Sequence, residues 1–186
     1  DFPAIPLSID TTKPQVAEAA IAAGAVLLND VWGVGPDPAM ARLAAGHGLP
    51  LILMHNRTEA RYDDLLAEVI ADLARAIERA VGVGCALESL IVDPGFGFGK
   101  TPDQNLEIVR RLGELHVLGR PIMLGTSRKS TLGRVLDLPV EERLAATLAT
   151  TALAAAAGVD LVRVHDVQPN MRAARLADAV ARAGMP

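Results

Sequence analysis

Leu90-Ile91-Val92-Asp93-Pro94-Gly95-Phe96-Gly97-Phe98-Gly99-Lys100-Thr101 runs from an apolar segment through a carboxylate into a glycine-rich loop, and from Asp103 helical spacing takes over. Leu90 to Val92 is apolar throughout instead of alternating, the pattern of a parallel strand covered on both faces. Asp93 stands just past that strand, at the C-terminal end where parallel α/β folds place their chemistry.

Working outward, the same unit recurs. The apolar runs are Ile5 to Ile9, Val26 to Asn29, Leu51 to Met54, Leu90 to Val92, Ile122 to Leu124 and Leu161 to Val164. Between and after them lie stretches with helical spacing: Pro14 to Ala23, Pro38 to Ala45, Asp63 to Val81, Asp103 to Leu112, Val140 to Ala157 and Gln168 to Ala183. Pro14, Pro38 and Pro169 fall near first turns, where a missing N–H costs little. Gly24, Gly46, Gly113, Gly158 and Gly184 fall where helices are expected to stop.

Alternating strand and helix gives an all-parallel sheet, either doubly wound or closed into a barrel. The polar residues after the strands decide between them: Asp10-Thr11-Thr12, Asn29-Asp30, His55-Asn56-Arg57, Asp93, Thr126 to Lys129, and Arg163 to Asp166. A doubly wound sheet concentrates its chemistry at one crevice, whereas a barrel brings every strand end to one mouth. The expected fold class is therefore α/β, a TIM (β/α)8 barrel. Six of its eight βα units are present, because at about 30 residues per unit the chain falls about two units short of a typical barrel of roughly 250 residues.

With 186 residues, about half of them apolar, one domain over residues 1–186 is expected. No apolar run approaches the roughly 18 to 20 residues that cross a bilayer, and the start at Asp1-Phe2-Pro3 carries no signal-peptide pattern. Cys85 alone allows no intrachain disulfide and no cysteine-rich zinc site, which makes the cytoplasm the expected compartment. A net charge of −4, scattered basic residues and few aromatics argue against nucleic acid as a partner.

Asp10 and Asp93 would bring two carboxylates into one mouth; as a bland alternative, each caps a helix or a loop. With Asn29 they suit a ligand that carries a guanidine-like donor edge. The Asp93 to Thr101 stretch is close to a phosphate-binding P-loop, but Pro94 replaces its first glycine and Pro102 delays the helix. The glycines are instead expected to let backbone approach a flat ligand, with Phe96 or Phe98 as a wall. Lys129 sets a cation at the mouth. Arg163 and His165, two apart on one strand, point to one face and suit an anion. His47, His55, His116 and His165 lack paired zinc spacing, and His47 and His116 read as helix-end or surface residues. Trp32 either shapes a pocket wall or simply packs.

Six segments together, Ser8-Ile9-Asp10-Thr11, Asn29-Asp30-Val31, Leu53-Met54-His55, Asp93 to Lys100, Ser127-Arg128-Lys129-Ser130 and Arg163 to Val167, resemble the successive motifs of the dihydropteroate synthase family, in order and over nearly the whole chain. The resemblance implies condensation of 6-hydroxymethyl-7,8-dihydropterin pyrophosphate with 4-aminobenzoate, releasing pyrophosphate, in folate biosynthesis. It implies that Asp10, Asn29 and Asp93 hold the pterin edge and that Lys129 reaches the pterin carbonyl and ring nitrogen. Val31, Met54 and Phe98 would be walls. Arg163 and His165 would grip the pyrophosphate, and Ser130 with Lys129 would seat the aminobenzoate. Asp10, Asp93 and Lys129 are the expected catalytic groups. The family's cofactor Mg2+ is implied too, but its Asn ligand lies on a first strand loop that this sequence does not contain, so no metal ligand is expected here. Also missing is a second loop with Thr and Arg contacts to substrate.

His55-Asn56-Arg57-Thr58 departs from the family's commoner His-Met-Gln/Arg-Gly at the edge of the site. Two rival readings remain at this point: a methyltetrahydrofolate-binding methyltransferase domain, and a non-catalytic pterin-binding fragment. Leu144 to Ala157 is Ala, Leu and Thr on every face, so a second covering surface is needed. A homodimer through this helix is the expectation, and the resemblance implies the same.

Overall fold

The computed structural model describes residues 5–33 and 35–183. Six strands follow in chain order: β1 (Leu7–Asp10), β2 (Ala25–Asp30), β3 (Leu51–Met54), β4 (Leu90–Asp93), β5 (Met123–Leu124) and β6 (Leu161–Val162). β1 to β4 form one parallel sheet in sequence order, and β5 pairs with β6 in parallel. A parallel bridge from Val92 to Ile122 joins the two groups. The result is six consecutive strands of a parallel barrel, each followed by helix, as the apolar runs require.

The helices are α1 (Pro14–Ala22), α2 (Ala39–His47), α3 (Leu65–Gly82), α4 (Pro102–Arg110), α5 (Ser130–Leu136), α6 (Leu144–Ala156) and α7 (Val167–Ala181). α3 shows why its sequence folds. Asp64 caps it, accepting the Ala67 N–H at 3.1 Å. Leu65, Leu66, Val69, Leu73, Ala76 and Ala80 then recur at helical spacing and are buried. Each large apolar side chain buried in this way contributes about 1.5–3 kcal/mol. The strands fill the space beneath: Leu28, Leu51 and Leu90 are wholly buried, as is Ile122 just before β5.

Several boundaries differ from the sequence expectation. α5 falls on Ser130–Leu136, which carried no helical expectation; its short length left no periodic signal. α6 begins at Leu144 because Pro139 precedes a separate 3-10 turn at Val140–Glu142. Gly46 lies inside α2, and the left-handed Gly48 ends that helix. Gly113 lies within a 3-10 segment, Leu112–Leu118. Gly184 lies outside the described residues.

The uniformly small, apolar α6 finds its second surface largely within the chain, because α7 packs along it. Thr151 donates to Asn170 at 2.7 Å and Thr150 meets Thr126 at 2.7 Å, both buried. Its hydroxyls are thus satisfied in the core. Leu144 and Leu153 on α6, and Leu176 and Val180 on α7, remain exposed. Among the described residues no helix is long and apolar enough to cross a membrane.

Candidate active site

The strand ends enclose a cavity of about 280 Å3, lined by Asn29, Val31, Met54, Asp93, Phe98, Gly125, Ser127, Lys129, Arg163, Val164 and His165. Eight of the ten residues expected at the site are among these. The strand register explains the grouping. Asn29 pairs with Ile52, and Met54 with Asp93, so the ends of β2, β3 and β4 stand side by side.

Asp93 is 4 % exposed, and one carboxylate oxygen accepts the Gly95 N–H at 2.7 Å. Burial raises its pKa; that bond and the charges of Lys129, Lys100 and Arg163 oppose the rise. Asn29 is 3 % exposed, and its Oδ1 is a buried oxygen with no hydrogen-bond partner. Such an atom costs roughly 1–3 kcal/mol until a donor arrives.

Lys129 lines the same cavity. Its Nζ donates to the Phe96 carbonyl and stands 4.5 Å from the centre of the Phe98 ring. Burial lowers its pKa to about 8, with Asp93 opposing and Arg163 assisting the fall. Phe98 is therefore the aromatic wall. Phe96, the other candidate, is fully buried in the core.

The remaining expected residues are placed differently from one another. Asp10 stands outside the cavity lining but forms an ion pair with Arg163, which is in it. Arg163 and His165 both reach the cavity, yet β6 ends at Val162, so they belong to the loop beyond the strand. His165 is held by Ser127, whose Oγ lies 2.9 Å from Nδ1. Ser130 does not reach the cavity. It is the first residue of α5 and opens onto a separate depression with Arg134 and Arg143. Its neighbour Lys129 turns inward, so Ser130 is carried outward by the helix start.

The glycine loop works otherwise than expected. Gly95 and Gly99 both have positive φ, and a side chain at either would overlap the backbone of His55 or Arg57. The close approach shown by Gly95 and Gly99 is chain against chain, and Phe98 between them lines the cavity. Lys100 is turned into this loop, with Nζ 2.9 Å from His55 Nδ1. Burial, followed by the opposed effects of Asp93 and Lys129, leaves its pKa at about 7. α4 starts at Pro102 with Thr101 and Gln104 in a capping box, so no helix N-terminus is presented at the lysine.

Sequence reasoning missed Gly125, Ser127 and Val164 in the lining, and the inward course of Lys100. Ser127 and Val164 lie within the Ser127 to Ser130 and Arg163 to Val167 segments, next to Lys129, Arg163 and His165. Gly125 offered no chemistry to notice. Trp32 is exposed and does not line the cavity, while His47 ends α2 beside Glu18, a surface residue as expected.

A family model described as a pterin binding enzyme matches residues 1–165. The chain belongs to the pterin binding enzyme family. It is 47% identical over 180 residues to the dihydropteroate synthase of Bacillus subtilis (strain 168), covering 97% of this chain and 63% of that protein. It is 50% identical over 179 residues to the dihydropteroate synthase of Clostridium beijerinckii, covering 96% and 66%. Among solved structures it superposes on dihydropteroate synthase from Thermus thermophilus in complex with 6HMPPP with a TM-score of 0.88. That pair is 42% identical, covering 95% of this chain and 70% of the other. The Yersinia pestis enzyme gives 0.91 at 37% identity, over 96% and 73%. The chain thus spans about two thirds of the length of these curated relatives.

Proposed function

We propose that this chain forms the pterin site of a dihydropteroate synthase, which condenses 6-hydroxymethyl-7,8-dihydropterin pyrophosphate with 4-aminobenzoate to give 7,8-dihydropteroate and pyrophosphate. The observation that carries the reading is the orphaned Asn29 Oδ1, which lines the same cavity as the buried Asp93 carboxylate. Both are acceptors, and a pterin's aminopyrimidine edge offers adjacent N–H donors to fill them. Lys129 supplies a donor for the ring carbonyl and nitrogen. Val31, Met54 and Phe98 sandwich the flat ring.

In this reading the C–O bond between the pterin methylene and pyrophosphate breaks, and a C–N bond to the aminobenzoate amine forms as that amine gives up a proton, which leaves with the pyrophosphate. Asp93 and Asp10 stabilise the positive charge that builds on the pterin methylene. Arg163 and His165 receive the departing anion, and Lys129 also serves the aminobenzoate side. Ser130 contributes only if the start of α5 turns. The bond change then depends chiefly on positioning.

Mg2+ remains part of the proposal with no step assigned to it. The family resemblance alone assigns its protein ligand to the family's first strand loop. Cytoplasmic residence is likewise proposed. A homodimer through Leu144 to Ala157 is supported by the exposed Leu144 and Leu153, and a monomeric mass by light scattering at micromolar concentration would refute it.

Calorimetric titration of the purified chain with a non-reactive pterin analogue tests the function. Saturable binding that Asp93→Asn abolishes is expected. A folded chain that ignores the analogue, or binds it equally well as Asp93→Asn, overturns the pterin site.

A further inference from the structure

Behind the cavity, a chain of polar contacts runs from the glycine loop to α3, and the reaction above makes no use of it. Lys100 Nζ donates to Gly95 O at 3.2 Å and to Phe98 O at 3.1 Å, and His55 Nδ1 lies 2.9 Å away. Below its pKa of about 7 Lys100 is an ammonium with three N–H donors, and three acceptors stand around it. The far side of the imidazole fixes its role. His55 Nε2 faces Asp72 Oδ2 at 3.1 Å. A carboxylate only accepts, so Nε2 carries the hydrogen and Nδ1 is left to accept from Lys100. The His55 ring is fully buried, and Asp72 is gripped in turn by Arg57 at 2.7 and 3.1 Å.

The two carbonyls that Lys100 binds are the ends of one turn, closed by the Phe98 N–H on Gly95 O at 3.0 Å. Each end touches the site. Gly95 N–H orients the Asp93 carboxylate, and Phe98 forms the cavity wall. A lysine with four methylenes could reach water, yet this one is turned inward onto neutral acceptors despite the cost of withdrawing a charge from solvent.

We infer that Lys100 and His55 are positioning residues: the ammonium staples both ends of the Gly95–Phe98 turn to an imidazole anchored by Asp72, and so fixes the Asp93 carboxylate and the Phe98 wall. For the identity of the ligand this rests on the pterin reading; for the loop it does not.

Lys100→Met keeps the stem and removes the donors. In ligand-free hydrogen–deuterium exchange, amides of residues 95 to 99 are expected to exchange at least tenfold faster, while Leu90–Val92 is unchanged. Affinity for the pterin analogue is expected to fall roughly tenfold, the scale of one charge-assisted hydrogen bond. Lys100→Arg, which restores donors, is expected to recover part of both. Unchanged exchange and affinity in Lys100→Met overturn the inference. So does faster exchange spread evenly over every strand, which would make Lys100 a general stability residue. If Lys100→Met does not fold, the 15N shifts of His55 in the unaltered protein decide: a ring protonated at Nε2 is expected, and one protonated at Nδ1 overturns the staple. Exchange and NMR need no ligand, so a chain that ignores the analogue rejects the pterin reading while the loop still judges this one.

Discussion

Gly95 lies so close to His55 that a Cβ at position 95 would overlap the His55 carbonyl oxygen. Its φ of +70° adds a conformational demand that other residues meet poorly. The obstacle is backbone, which has no rotamer by which to move aside. Gly95→Ala is therefore expected to lose more than the roughly 1 kcal/mol that a left-handed backbone costs alone. Urea denaturation should show a clear fall in midpoint, together with lost affinity for the pterin analogue. A neutral result would mean that the loop does not pack on the strand β3 exit as described.

Asp93→Asn separates stability from binding. Burial raises the pKa of Asp93, so its charge is disfavoured in the folded state and costs stability at neutral pH. The sign is that of a raised carboxylate: full stability below the unfolded pKa, lost as pH rises through the folded one. Asn keeps an oxygen for the Gly95 N–H and removes the charge. The variant is expected to melt a few degrees higher than the unaltered chain at pH 7 while failing to bind the analogue. A lower Tm would show that Lys129, Lys100 and Arg163 more than offset the burial.

His55 sets a pH dependence. Burial, aided by Lys100, lowers its pKa from 6.5 to about 4, against the pull of Asp72. The unfolded chain then binds the extra proton between about pH 4 and 6.5, so stability rises with pH across that window and falls on acidification. The lowered pKa values of Asp72 and Glu68 act in the same direction at more acidic pH. Up to about 3 kcal/mol is at stake for His55, at 1.36 kcal/mol per pKa unit. Unfolding free energies at pH 4.5 and 7, compared between the unaltered chain and His55→Gln, measure it. Equal slopes for the two proteins would remove His55 from the account.

β3 and β4 were legible as apolar runs without alternation, while β1, Leu7-Ser8-Ile9-Asp10, and the two-residue β5 and β6 took their place from the repeat of the unit and from the polar ends that announced the mouth. Asn29 and Asp93 could be read because each stands directly at such an end, and Lys129 because it lies in the polar segment between β5 and α5. Lys100 could not. Its direction depends on how the glycine loop folds back against the His55 segment, a long-range contact with no local periodicity. Ser130 was misplaced for a related reason: a seven-residue helix, too short for a pattern, begins on it. The second surface of α6 was legible as a need, while composition could not say that α7, in the same chain, packs along it.

Asp10 and Arg163 form an ion pair at the edge of the cavity that Arg163 lines, although Arg163 is proposed to hold the departing pyrophosphate. The carboxylate and the anion compete for one guanidinium. Both partners are partly exposed, so the pair itself is worth at most about 1 kcal/mol. Asp10→Asn should therefore tighten binding of inorganic pyrophosphate a few-fold, an effect that shrinks as salt is raised. The same substitution should weaken the pterin analogue, since Asp10 is proposed to serve the pterin edge. Isothermal titration with each ligand separates the two effects. If pyrophosphate affinity is unmoved while pterin affinity falls, Arg163 is held elsewhere in solution and its role as the anion grip is lost; if both fall together, Asp10 orders the loop that carries Arg163 instead of competing with the anion.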